Sequence, residues 1–131
     1  MTYQSERYEK IGQDIVKELF PHLEGVRIAW LASDKDKKSK GRMVFGECSK
    51  VPERYEWCCP YDFTITVYES NIEGFTEEQI KILLEHEIMH IGIDGDKYTI
   101  VPHDIEEFME IIRKYGINWQ RDNTDYALLD D

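Results

Sequence analysis

The sequence predicts an α+β fold: a small, mostly antiparallel sheet of about three strands, packed with an N-terminal helix, a central helix and a C-terminal helix. Three observations carry that expectation. Apolar residues recur every three to four positions in residues 5–20, 77–91 and 104–115, they alternate in residues 26–31 and 62–69, and turn-forming residues separate these stretches. A chain of 131 residues has room for one core, so residues 1–131 are expected to form a single domain.

In the first helix Tyr8, Ile11, Ile15, Val16 and Leu19 share a stripe, and Pro21 ends it. Val26, Ile28 and Trp30 then alternate with Arg27, Ala29 and Leu31, the pattern of a strand with one buried face. The basic segment from Asp34 to Gly41 reads as a solvated turn. Residues 43–48 read as a second strand, in which Gly46 marks a bulge or a place of close approach. Pro52 and Pro60 make residues 49–61 a loop, with Tyr55 and Trp57 expected to be partly buried. Phe63, Ile65 and Val67 against Thr64, Thr66 and Tyr68 give the clearest strand.

Thr76 and Gln79 have capping-box spacing, and Glu77 and Glu78 favour the positive end of a helix expected over residues 77–91. Its buried stripe is Ile80, Leu84, Ile88 and Ile91, and Gly92 and Gly95 then reverse the chain. A short strand at residues 98–101 precedes the last helix. There Asp104 is the N-cap, Glu107 closes a second capping box, and Ile105, Phe108, Ile111 and Ile112 face inward.

The hydrophobic share of 41% and aromatic share of 12% are those of a folded chain, so the 33% charged residues are read as a solvated surface. A net charge of −11 argues against broad electrostatic capture of nucleic acid. The run Lys35, Lys37, Lys38, Lys40 and Arg42 is the local exception; it reads as a solvated loop, with an acidic partner as the sharper alternative. Three cysteines, an odd number without C-x-x-C spacing, point to no disulfide framework, and Cys58 and Cys59 are read as buried hydrophobes. The first ten residues do not resemble a signal peptide and no stretch is apolar enough to span a membrane, so a reduced, cytoplasmic setting is expected.

The chemistry concentrates in His86-Glu87-Ile88-Met89-His90, an H-E-x-x-H run. On a helix the two imidazoles stand one turn apart and can share a zinc ion, while Glu87 reaches the water that the metal activates. A catalytic zinc site needs a third protein ligand. His103 is the first choice, since the reversal at residues 92–96 lets the chain return to the metal. Asp96 and Glu107 are the alternatives. Asp96 stands where longer H-E-x-x-H-x-x-G-x-x-H/D patterns place their ligand, but Ile93 occupies the glycine position. Tyr98 and Tyr115 are candidate oxyanion donors, though packing explains them better.

The segment from Leu84 to Gly92, with His103-Asp104-Ile105-Glu106-Glu107-Phe108 and Tyr115-Gly116-Ile117-Asn118-Trp119, resembles the phage-type metallopeptidase family, itself similar to SprT-like minimal zincins. The resemblance implies a minimal zincin-like fold, zinc held by His86, His90 and His103, and Glu87 as general base of peptide hydrolysis. It also implies that Asp104 is a carboxylate steadying a metal ligand, and that a protein or peptide of phage or mobile-element context is the substrate. A weaker likeness links His86, His90 and Asp96 to the H-x-x-x-H-x-x-x-x-x-H pattern of YbeY-type endoribonucleases, but Glu87 replaces that family's glycine and Asp96 its last histidine. A non-catalytic metal-binding interaction module is the third reading. Oligomeric state is not legible.

Overall fold

A computed structural model of the protein describes residues 1–95 and 97–102. Asp96, the expected last helix, and with it His103, Asp104, Glu107 and Tyr115, lie outside the described residues.

The architecture is α+β. Strand β1 (Thr2–Gln4) leads into α1 (Glu6–Leu19), β2 (Ile28–Ser33), the small hairpin β3 (Lys38–Ser39) and β4 (Arg42–Met43), then β5 (Gly46–Lys50), β6 (Phe63–Tyr68), α2 (Glu77–Ile88) and the hairpin β7 (Ile91–Asp94) and β8 (Lys97–Ile100). The main sheet has the order β1-β2-β6-β5. It has one strand more than the three or so expected, since β1, too short and polar to carry a pattern, adds a fourth. Its pairing is mostly antiparallel as expected, with β2 and β6 running parallel between two antiparallel neighbours. A parallel pair needs a long crossover, and the connection from β2 to β6 provides it while inserting β5 on the outer side.

As an interior strand, β2 is buried from Ile28 to Ser33 except at half-buried Leu31, so its expected alternation is largely lost. Its lower end is tied to β6 by Arg27, whose backbone N–H and Nε donate to Asp62 Oδ2 at 2.9 and 3.3 Å and whose Nη2 donates to Oδ1 at 3.0 Å. Burial opposes ionisation at Asp62, but these bonds prevail and hold its carboxyl below the usual range.

The buried side of α1 is Tyr8, Gly12 and Val16, one position per turn, and Leu19 is left 46% exposed. Gly12 decides that rotation. The Trp30 ring occupies the space where a side chain would stand, with its Cη2 at 2.2 Å from an ideal Cβ.

Helix α2 begins as expected: the Thr76 hydroxyl accepts from the Gln79 N–H at 3.2 Å and the Gln79 side chain accepts from the Thr76 N–H at 2.8 Å. It ends earlier, at Ile88, with Met89 as C-cap. The reason lies in the following hairpin: β7 pairs with β8 where a reversal was expected, with Gly95 at φ 66°, and this pairing claims the backbone from Ile91 onward. Instead of one buried stripe, every residue from Ile82 to Ile88 is buried, because α2 lies between α1, the sheet and β5. Among the described residues no helix is long and apolar enough to cross a membrane. Cys58 is exposed rather than buried, Cys59 is half-buried, and Trp57 is 85% exposed, since their proline-bounded loop stands away from the core.

Candidate metal centre beside the outer strand

His86 and Glu87 occupy the last turn of α2 and are buried, at 7% and 5% exposure, while half-buried His90 follows just beyond the helix end. The imidazole centroids of His86 and His90 are 5.3 Å apart at 67° between planes. Two rings bound to one tetrahedral zinc at about 2.1 Å per Zn–N bond would have centroids about 5.3 Å apart, which is the separation observed. Among the described residues no group of three His, Cys, Asp or Glu side chains is assembled for a metal.

His90 Nδ1 lies 2.6 Å from the Val101 carbonyl oxygen. A carbonyl oxygen only accepts, so Nδ1 carries the proton and Nε2 the lone pair that a metal takes. The Val101 N–H donates to the His90 carbonyl at 2.7 Å, so both the backbone and the ring of His90 are fixed on residue 101. The hairpin β7–β8 thereby returns the chain to His90 at Val101.

Glu87 lies against β5. A Cβ on Gly46 would stand 3.4 Å from both Glu87 Cγ and Oε2, and 3.2 Å from the Thr66 carbonyl oxygen. Gly46 therefore marks a close approach, of a carboxylate and the backbone of the neighbouring strand together, and not a bulge. Two residues further, burial and the Glu87 charge push the Cys48 thiol up to about 12, and the same two causes raise the Tyr68 hydroxyl. With its thiol protonated, Cys48 is a poor nucleophile. Native protein treated with iodoacetamide at pH 8 is expected to alkylate at exposed Cys58 and to spare Cys48, with both modified in denaturant; peptide mass spectrometry reads the difference.

The structure thus brings together His86, Glu87 and His90, while Asp96, His103, Asp104 and Glu107 lie outside the described residues. Tyr98 is half-buried and packs its ring on Phe63 at 5.6 Å, in keeping with a packing role. Sequence reasoning missed Cys48, Tyr68 and the Val101 carbonyl, whose proximity comes from strand register and carries no local signal. Gly46 was visible as an unexpected glycine within a strand pattern.

Fold and site define an α+β domain that presents a histidine pair and a glutamate at the end of one helix. The family described as "Putative phage metallopeptidase" matches residues 1–127, and the chain belongs to that family. Metallopeptidase function is thereby supported at family level, and a metal ion is implied. No curated protein and no solved structure matches the chain.

Proposed function

We propose that residues 1–131 form one zinc-dependent metallopeptidase domain, of minimal zincin type, that hydrolyses peptide bonds. The observation that carries this reading is the pairing of His86 and His90 at zinc-binding separation, with Glu87 buried beside them and the chain returned to His90 at Val101. His86 and His90 hold the ion, and His103 follows Val101 closely enough to be the preferred third ligand, ahead of Asp96 and Glu107. Asp104 then supports a ligand from behind. Zinc, when bound, supplies Lewis-acid activation of water and of the scissile carbonyl.

The remaining chemistry belongs to the chain. Glu87 accepts the proton of the attacking water on its carboxylate and passes it to the leaving amine. Its burial keeps that carboxylate from bulk water, and the bare backbone of Gly46 leaves room beside Oε2. A peptide laid along β5 by backbone pairing would pass close to Glu87. With no membrane-spanning helix among the described residues, and three free cysteines, a reduced cytoplasmic setting and a protein substrate of phage or mobile-element context complete the reading.

The test combines metal content with turnover. Purified protein is expected to hold one zinc per chain, to lose it in His86→Ala and His103→Ala, and to keep it in Asp96→Ala; elemental analysis reads each variant, with thermal melting as the folding control. Zinc-loaded protein is expected to cleave denatured casein or a mixed peptide library and to stop on chelation. Cleavage of RNA that persists in Glu87→Ala and fails in Asp96→Ala would assign the site to the endoribonuclease reading. Stoichiometric metal without turnover of either substrate would leave an interaction module.

A further inference from the structure

The basic run in this acidic chain is a built projection and not a loose turn. β3 and β4 pair Lys38 with Met43 and Ser39 with Arg42. They close on a two-residue turn of Lys40 at φ 52° and Gly41 at φ 77°. That is the backbone of a type I′ turn, whose first position suits Asn, Asp or Gly; a lysine there is strained. The base of the hairpin is held by Asn71, 7% exposed, whose amide donates to the Lys37 carbonyl at 3.0 Å and to the Val44 carbonyl at 2.8 Å. The Val44 N–H also donates to the Lys37 carbonyl at 3.0 Å. A buried amide that bridges both sides fixes the direction in which the hairpin points.

Lys38, Lys40 and Arg42 are exposed on that support. Lys37 is directed elsewhere. Its ammonium pairs with Glu47 of β5 and stands 5.5 Å from the Tyr68 ring centroid, which fastens the hairpin to the strand beside Glu87. Only Val44 and Phe45 separate the end of β4 from Gly46, the residue against the Glu87 carboxylate. Residues 35–42 carry five cations against one anion, Asp36, in a chain of net charge −11, so the arm is a positive pole on an acidic body. An acidic segment is repelled from the rest of the surface and drawn to this arm. A long polynucleotide meets the same repulsion along its whole length.

We propose that the Lys38–Met43 hairpin is a docking arm for an acidic peptide segment of the substrate, and that it sets such a peptide along β5 toward Glu87. This rests on the peptidase reading and adds a substrate class to it. The test is direct binding to full-length, zinc-loaded Glu87→Gln protein, followed by fluorescence anisotropy of a labelled peptide alternating Glu and Ala and of its Gln counterpart. The acidic peptide is expected to bind at least about tenfold more tightly than the neutral one at low ionic strength, with the margin shrinking in salt. Lys38→Glu/Lys40→Glu/Arg42→Glu is expected to erase that margin while zinc content stays unchanged. Lys40→Asn, which suits the turn better, is expected to raise the melting temperature and still weaken acidic-peptide binding.

Equal affinity for the two peptides, or a triple variant that binds like the parent, overturns the proposal. Tighter binding of a single-stranded oligonucleotide of equal charge also overturns it, by giving the surface to nucleic acid. Because the readout is binding, the two readings fail separately: a docked acidic peptide that zinc-loaded parent protein never cleaves defeats the peptidase reading, whereas cleavage indifferent to peptide charge, without arm-dependent binding, defeats the docking arm.

Discussion

Glu87→Gln is expected to lower kcat for peptide hydrolysis by about a hundred- to ten-thousand-fold, the usual contribution of a positioned general base, while zinc content is unchanged. The amide keeps the shape of the carboxylate and its fit beneath Gly46, but it cannot accept the proton of water. Packing is thus held constant and proton transfer alone is removed. KM is expected to change far less than kcat, because in the proposed mechanism Glu87 acts on the reacting water and not on the bound peptide. Steady-state kinetics on the zinc-loaded variant, with elemental analysis of the same sample, check the split. A variant that retains full kcat with full zinc removes Glu87 from the mechanism. Loss of zinc would show that the glutamate holds the metal site together.

Gly12→Ala is expected to destabilise the fold by about 2 kcal/mol. Overpacking a core costs about 1–3 kcal/mol, and three atoms of the Trp30 ring lie at 2.2, 2.3 and 2.7 Å from the new methyl, which places the clash at or above the top of that range. Replacing a helical glycine returns about 1 kcal/mol of propensity. Trp30 is 3% exposed and lies in the core, so turning its rigid ring away from the new methyl would disturb its packing. At about 3–5 °C per kcal/mol for a chain of this size, the melting temperature is expected to fall by about 6–10 °C. Gly12→Ala/Trp30→Leu should recover part of the loss relative to Trp30→Leu alone, since the methyl then fills space the indole has left. Additive losses in that double-mutant cycle would show that the ring and the glycine are independent.

Local sequence determined the elements whose physics is local. The Thr76–Gln79 capping box and the alternation of Phe63, Ile65 and Val67 each depend on residues within a turn or two of one another, and both are seen where expected. The rotation of α1 was less legible, because Gly12 contributes no apolar signal and gains its meaning only when Trp30 arrives from β2. Helix α2 stops at Ile88 for a similar reason: the pairing of β7 with β8 competes for the backbone, and no cap residue announces it. What tertiary structure alone decided is which groups surround Glu87. The parallel pairing of β2 with β6, and the register that sets Gly46 opposite Val67, depend on connections far apart in the chain, and they carry the outer strand and the basic hairpin to the end of α2, where His86, Glu87 and His90 stand.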